Sequence, residues 1–264
     1  MVPAMFDAVL FDLDETLIPD EAVSRHAFAI TAQGVTRDAA KATALAEAAE
    51  RQAKALWKTL PAAAAAYAER IGHSALEGQW ATYDAAVPEE AELERAMARL
   101  RPETWRLALA ECGLAGDPAF LASRWQALRA RFPLFPDADE VLVRLAGTVK
   151  LGLITNGVSG LQRRKLNGCG LLHWFDAVAV SGEVGIGKPQ PGIFEWTAKQ
   201  LGVPLEKCVM VGDNPERDVQ GGLNAGIATV WVDRGLKPRG AKATFECKEL
   251  RELLPWLRAR GVPA

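Results

Sequence analysis

Near the start of the chain, Asp12-Leu13-Asp14-Glu15-Thr16 places two carboxylates and a hydroxyl directly after the apolar run Ala8-Val9-Leu10-Phe11. A short apolar run without polar alternation reads as a strand buried on both faces. Acids side by side at the end of such a strand are costly to bury unless a cation or a reaction requires them. One can act as a nucleophile, the other as proton donor and acceptor. Three further polar clusters follow apolar runs: Thr155-Asn156-Gly157, Lys188-Pro189, and Gly212-Asp213-Asn214 with Asp218 beyond it. Carboxylates, a hydroxyl, an amide and a lysine together suit phosphoryl transfer, whose transition state needs fixed donors and cations around three oxygens. Acids alone would repel a phosphate, and a hard ion such as Mg²⁺ resolves that conflict by bridging acids and substrate. Lys188 adds a permanent charge, Thr155 a hydroxyl donor, and Asn156 with the Gly157 N–H completes a cradle for oxygens. A carboxylate nucleophile implies an aspartyl-phosphate that water later cleaves.

These clusters meet only if the strands before them lie parallel in one sheet, because ligands gather at the carboxyl edge of such sheets. The apolar runs at residues 149–154, 177–180, 208–211 and 228–232 read as strands, and helical patterns fall at 161–166, 192–201, 218–225 and 250–260. That alternation predicts a parallel sheet covered on both faces, which the strand before Asp12 must join. Residues 20–132 carry no strand pattern and are rich in Ala, Glu, Arg and Leu. Helix starts are expected there at Val87-Pro88-Glu89-Glu90, Arg101-Pro102-Glu103 and Asp117-Pro118, where Pro and acids suit a first turn. The expected architecture is α/β: a Rossmann-like parallel-sheet core, residues 1–19 and 133–264, with an inserted all-helical cap, residues 20–132. The site is expected in the cleft between them, where cap closure would exclude water.

The 264 residues are 49% hydrophobic and carry a formal net charge of −2, which gives a nucleic-acid role no electrostatic support. No apolar stretch reaches the length of a membrane span, and the first residues lack a secretory signal pattern. Cys112, Cys169, Cys208 and Cys247 are scattered without a CxxC pair, which predicts reduced packing residues, a cytoplasmic protein and no zinc site. A monomer or a homodimer is compatible with the sequence. The run Arg163-Arg164-Lys165 reads as an exposed helix face, and most of Trp57, Trp80, Trp105 and Trp125 as core of the helical region.

Taken in order, Asp12-x-Asp14-x-Thr16, Thr155, Lys188 and Gly212-Asp213 with Asp218 resemble the signatures of the haloacid dehalogenase superfamily, and the long insert resembles its C1-type helical cap. The stretches around Leu153 to Gly157, Lys188-Pro189 and Gly221 to Gly226 look closest to the branch holding N-acylneuraminate-9-phosphatase and the superfamily's 5′-nucleotidases. The resemblance implies Asp12 as nucleophile and Asp14 as the acid that protonates the leaving oxygen and then activates water. It implies Mg²⁺ held by Asp12, the Asp14 carbonyl and Asp213 with support from Asp218, and a phosphoryl group held by Thr155 and Lys188. Glu15 stands where many relatives have Gly. The implied activity is Mg²⁺-dependent hydrolysis of a small phosphomonoester, with sugar phosphates and nucleoside monophosphates as leading classes. The alternatives are a haloacid dehalogenase, whose branch lacks a carboxylate at the position of Asp14, a phosphosugar mutase, and a non-catalytic phosphometabolite-binding protein.

Overall fold

The computed structural model describes residues 5–264. Six strands form one parallel sheet in the order β3-β2-β1-β4-β5-β6: β1 Ala8–Phe11, β2 Lys150–Thr155, β3 Ala177–Val180, β4 Cys208–Gly212, β5 Ala228–Val232 and β6 Phe245–Cys247. All four residues of β1 are buried, as an apolar run without alternation requires. The chain steps from β1 through β2 to β3 and then crosses back, so β4 lies on the other side of β1. The strand order therefore reverses between β1 and β4, and the crevice there is where α/β sheets bind ligands. Register brings Phe11 opposite both Val211 and Leu153, so the residues after β1, β2 and β4 emerge at one edge. The strand β6 was not anticipated; its three residues lie at the sheet edge and include Glu246, too short and too polar to signal.

The chain divides into two compact units. Unit 1 comprises residues 1–19, 133–156 and 165–264, and unit 2 comprises residues 20–132 and 157–164. Residues 157–164 group with the helical unit because Val158 and Leu161 are buried in the same apolar cluster as Leu45, Met97 and Trp125. Unit 2 is helical. Asp38 and Asp117 cap the helices Ala39–Trp57 and Pro118–Leu128 with their carboxylates, and Ser74 and Glu77 form a reciprocal capping box. Pro88 begins the helix Pro88–Cys112 as expected, but Pro102 starts nothing: it lies inside that helix. An interior proline costs about 3 kcal/mol. Burial of Leu93, Met97, Trp105 and Leu109 on both sides of it keeps the helix continuous. Phe28 packs against Trp105 and Trp125, with ring centroids at 5.8 and 4.8 Å, so these two indoles do fill the core of the unit.

Candidate active site

The site is built around the end of β1. The Asp12 N–H donates to the Val211 carbonyl at 2.9 Å, which continues the β1–β4 ladder by one residue and fixes where its side chain emerges. The Lys188 ammonium reaches Asp12 Oδ1 at 2.5 Å, Asp218 Oδ1 at 2.7 Å and the Ile154 carbonyl at 2.8 Å. Two hydrogen bonds and an ion pair thus hold a buried lysine. Burial alone would depress its pKa, but the charges of Asp12 and Asp218 outweigh it and hold the ammonium above the ordinary lysine value. The loop bearing Lys188 is pinned by Asn156, whose Nδ2 donates to the Lys188 carbonyl at 2.8 Å and whose Oδ1 accepts from the Lys188 N–H at 2.9 Å. Asn156 therefore holds the lysine loop through a reciprocal amide pair.

Thr16 joins two strand ends. Its hydroxyl donates to Asp12 Oδ2 at 3.1 Å and accepts from the Asp213 N–H at 3.0 Å. The Asp213 carbonyl accepts from the Trp231 indole N–H at 2.8 Å, a support from β5 that no motif announced. The other oxygen of Asp218 accepts from the Asn214 N–H at 2.9 Å. A side chain at residue 212 would collide with that carboxylate, since an added Cβ would lie 2.2 Å from Asp218 Oδ2. Gly212 is therefore required by the close approach of Asp218. Asn214 caps the turn that follows, its side chain accepting from the Glu216 and Arg217 N–H groups.

Glu15 has φ +60°, in the left-handed region that glycine adopts without cost. The Glu15 N–H donates to the Ile18 carbonyl at 2.8 Å and holds this turn. The Asp14 carboxylate is clasped by Lys165, whose ammonium lies 2.8 and 2.9 Å from its two oxygens. The expectation of an exposed basic face at Arg163-Arg164-Lys165 is thereby corrected: the Lys165 side chain is fully buried, and Arg163 and Arg164 are half-buried. A run of charges cannot reveal that one member faces a carboxylate more than a hundred residues earlier. Thr155 closes β2 and is buried; Gly157, with φ 135°, belongs to unit 2.

Asp12, Asp213 and Asp218 each place a carboxylate oxygen within 4.8 Å of the others. Burial first, and then the charges of Asp12 and Asp218, raise the pKa of Asp213 far above the carboxylate range, and its Oδ2 is buried without a hydrogen-bond partner. Burial likewise raises Asp218, against the opposing pull of Lys188. Three ionised carboxylates against one ammonium would leave two negative charges, the charge of a single divalent cation. A hard, oxygen-only donor set with an orphaned buried oxygen fits Mg²⁺.

A switch point furnished in this way is where an α/β protein binds its ligand. The sequence matches the haloacid dehalogenase-like hydrolase family over residues 6–226, and the chain belongs to that family. It is 42% identical to a phosphoserine phosphatase of Thermus thermophilus over 252 residues, covering 93% of this chain and 96% of the relative. It is 41% identical to the human N-acylneuraminate-9-phosphatase over 149 residues, covering 53% of this chain and 59% of the relative. Among solved structures, the HAD-hydrolase YfnB of Bacillus subtilis, bound to magnesium, superposes with a TM-score of 0.64 at 22% identity, covering 96% of this chain and 99% of that one, and shares the fold. The protein is therefore an enzyme, a hydrolase of this family, with a Rossmann-like α/β fold.

Proposed function

We propose that the chain is a Mg²⁺-dependent phosphatase that hydrolyses a small phosphomonoester through an aspartyl-phosphate on Asp12. The observation that carries this reading is the buried Lys188 ammonium shared by Asp12, Asp218 and a strand-end carbonyl, beside the unpartnered Asp213 oxygen. An Asp12 oxygen attacks phosphorus, and Asp14 gives its proton to the departing alkoxide; Asp14 then takes a proton from the water that opens the acyl phosphate. Lys188 and Thr155 hold the phosphoryl oxygens, Asn156 fixes the lysine loop, and the Gly157 N–H adds a donor. Asp12, the Asp14 carbonyl and Asp213 would hold Mg²⁺, which supplies charge neutralisation between acids and phosphate; Asp218 supports them through Lys188 and the Asn214 N–H.

Asp14 favours this reading over dehalogenation, since a departing halide needs no proton. The phosphatase relatives support phosphomonoesters as the substrate class. Sugar phosphates and nucleoside monophosphates lead, and the extensive match to a phosphoserine phosphatase adds phosphorylated amino acids. A cytoplasmic site of action accords with four free cysteines. No helix is long and apolar enough to cross a membrane among the described residues. The test is a panel of phosphomonoesters with Mg²⁺, a chloroacetate control, and Asp12→Asn. Phosphate release that Asp12→Asn abolishes is expected. Substantial turnover by Asp12→Asn, or chloride release without phosphatase activity, would overturn the assignment.

A further inference from the structure

Unit 2 carries a concentration of positive charge that its packing does not explain. The guanidinium carbons of Arg129 and Arg164 lie 4.3 and 4.5 Å from the centroid of the same ring, Trp80. Arg101 is close by and donates to the carbonyls of Gly78 at 3.2 Å and Ala81 at 2.7 Å. Two of the three arginines have acids: Arg129 pairs with Asp20 at 2.7 Å, and Arg101 with the half-buried Glu94 at 3.4 Å. Arg164 has one polar partner among the described residues, the Trp80 carbonyl at 2.9 Å. The Nε donors of Arg129 and Arg164 are buried without hydrogen bonds. Burial, and then the neighbouring Arg129 and Arg101 charges, pull the Arg164 pKa down. Holding like charges together away from water is unfavourable, and a fold that needed only packing at Trp80 would meet it with apolar side chains. Guanidinium on an aromatic face is also a preorganised fork for a planar anion.

We propose that Trp80, Arg129 and Arg164 form an anion-recognition site within unit 2 and that its ligand is a carboxylate. The one surplus positive charge matches a monoanion, and the flat guanidinium fork matches two coplanar oxygens. The carboxylate is borne either by the phosphomonoester substrate or by a separate small acid. The first source rests on the phosphatase reading, and the second does not.

Two substrate pairs that differ at the carboxylate separate these sources: O-phosphoserine against O-phosphoethanolamine, and 3-phosphoglycerate against glycerol 3-phosphate. If the substrate bears the carboxylate, kcat/KM favours the acid member of a pair by about tenfold or more, mainly through KM, the scale of one charge-assisted hydrogen bond. Arg164→Gln brings that ratio close to one, and Arg164→Lys recovers part of it. If a separate acid is the ligand, the pairs show no preference, but glycerate raises the Tm of the wild-type protein more than glycerol does, and that difference vanishes in Arg164→Gln. No preference in either pair, together with equal thermal shifts from glycerate and glycerol, overturns the proposal. Those comparisons stand on the wild-type protein alone should Arg164→Gln fail to fold. The thermal arm needs no turnover, so failure of the phosphatase reading is distinguished from failure of the anion site.

Discussion

Thr16→Val tests how Asp12, the proposed nucleophile, is held. The substitution keeps the branched shape but removes a hydroxyl that is fully buried and bonded at both ends, to Asp12 Oδ2 at 3.1 Å and from the Asp213 N–H at 3.0 Å. A hydrogen bond to a charged group contributes about 1.5–3 kcal/mol, and a buried amide left without an acceptor costs about 1–3 kcal/mol. Because the two losses share one atom and will not add fully, a net destabilisation of about 3 kcal/mol is expected. For a chain of this size that lowers Tm by roughly 6–12 °C. The Asp12 carboxylate keeps its Lys188 contact but loses the constraint on its second oxygen, so kcat should fall by about tenfold to a hundredfold with little change in KM. Calorimetry and p-nitrophenyl phosphate kinetics measure both effects, and Thr16→Ser, which restores the hydroxyl, should recover most of each. A Thr16→Val protein with unchanged Tm and kcat would refute the claim that this hydroxyl couples the ends of β1 and β4.

Lys165→Met should slow turnover, and more for alkyl phosphates than for p-nitrophenyl phosphate, because Lys165 positions Asp14, the proposed proton donor to the leaving oxygen, and a good leaving group needs less protonation; equal losses on both substrates would show that Lys165 acts only on folding. The raised pKa of Asp213 sets a pH dependence. In the metal-free protein the folded state keeps a proton that the unfolded chain releases near pH ~4, so stability falls as pH rises from there toward the raised folded value. Mg²⁺ requires the ionised form, so the gain in Tm on adding Mg²⁺ should be larger at about pH 8 than at about pH 6, and a gain that shrinks with rising pH would count against Asp213 as a ligand.

The parallel sheet and the polar residues at its edge were legible because both rest on local patterns. A strand buried on both faces is an unbroken apolar run, and Ala8–Phe11, Ala177–Val180 and Ala228–Val232 occupy the segments their sequences indicate. A polar residue at the end of such a run has nowhere to point but the sheet edge. Pro102 misled because local chemistry suggested a start, whereas apolar contacts on both sides decided for continuity. Lys165 and Trp231 left no signal, since their partners are Asp14 and the Asp213 carbonyl, distant in sequence and adjacent only through the fold.

The two buried lysines show why a charge is readable in one place and silent in another. Lys188 follows a glycine-punctuated loop after an apolar strand, a context that only a ligand or a reaction justifies. Lys165 sits between two other residues of an ordinary helix, Ser159–Cys169, where a cation is unremarked. Yet each is buried and each grips an aspartate of the same pair, Asp12 for one and Asp14 for the other. Each aspartate is thus held in place by its own lysine. Two carboxylates two residues apart are therefore oriented by different partners, Asp12 by a lysine before helix 191–201 and Asp14 by one within helix 159–169.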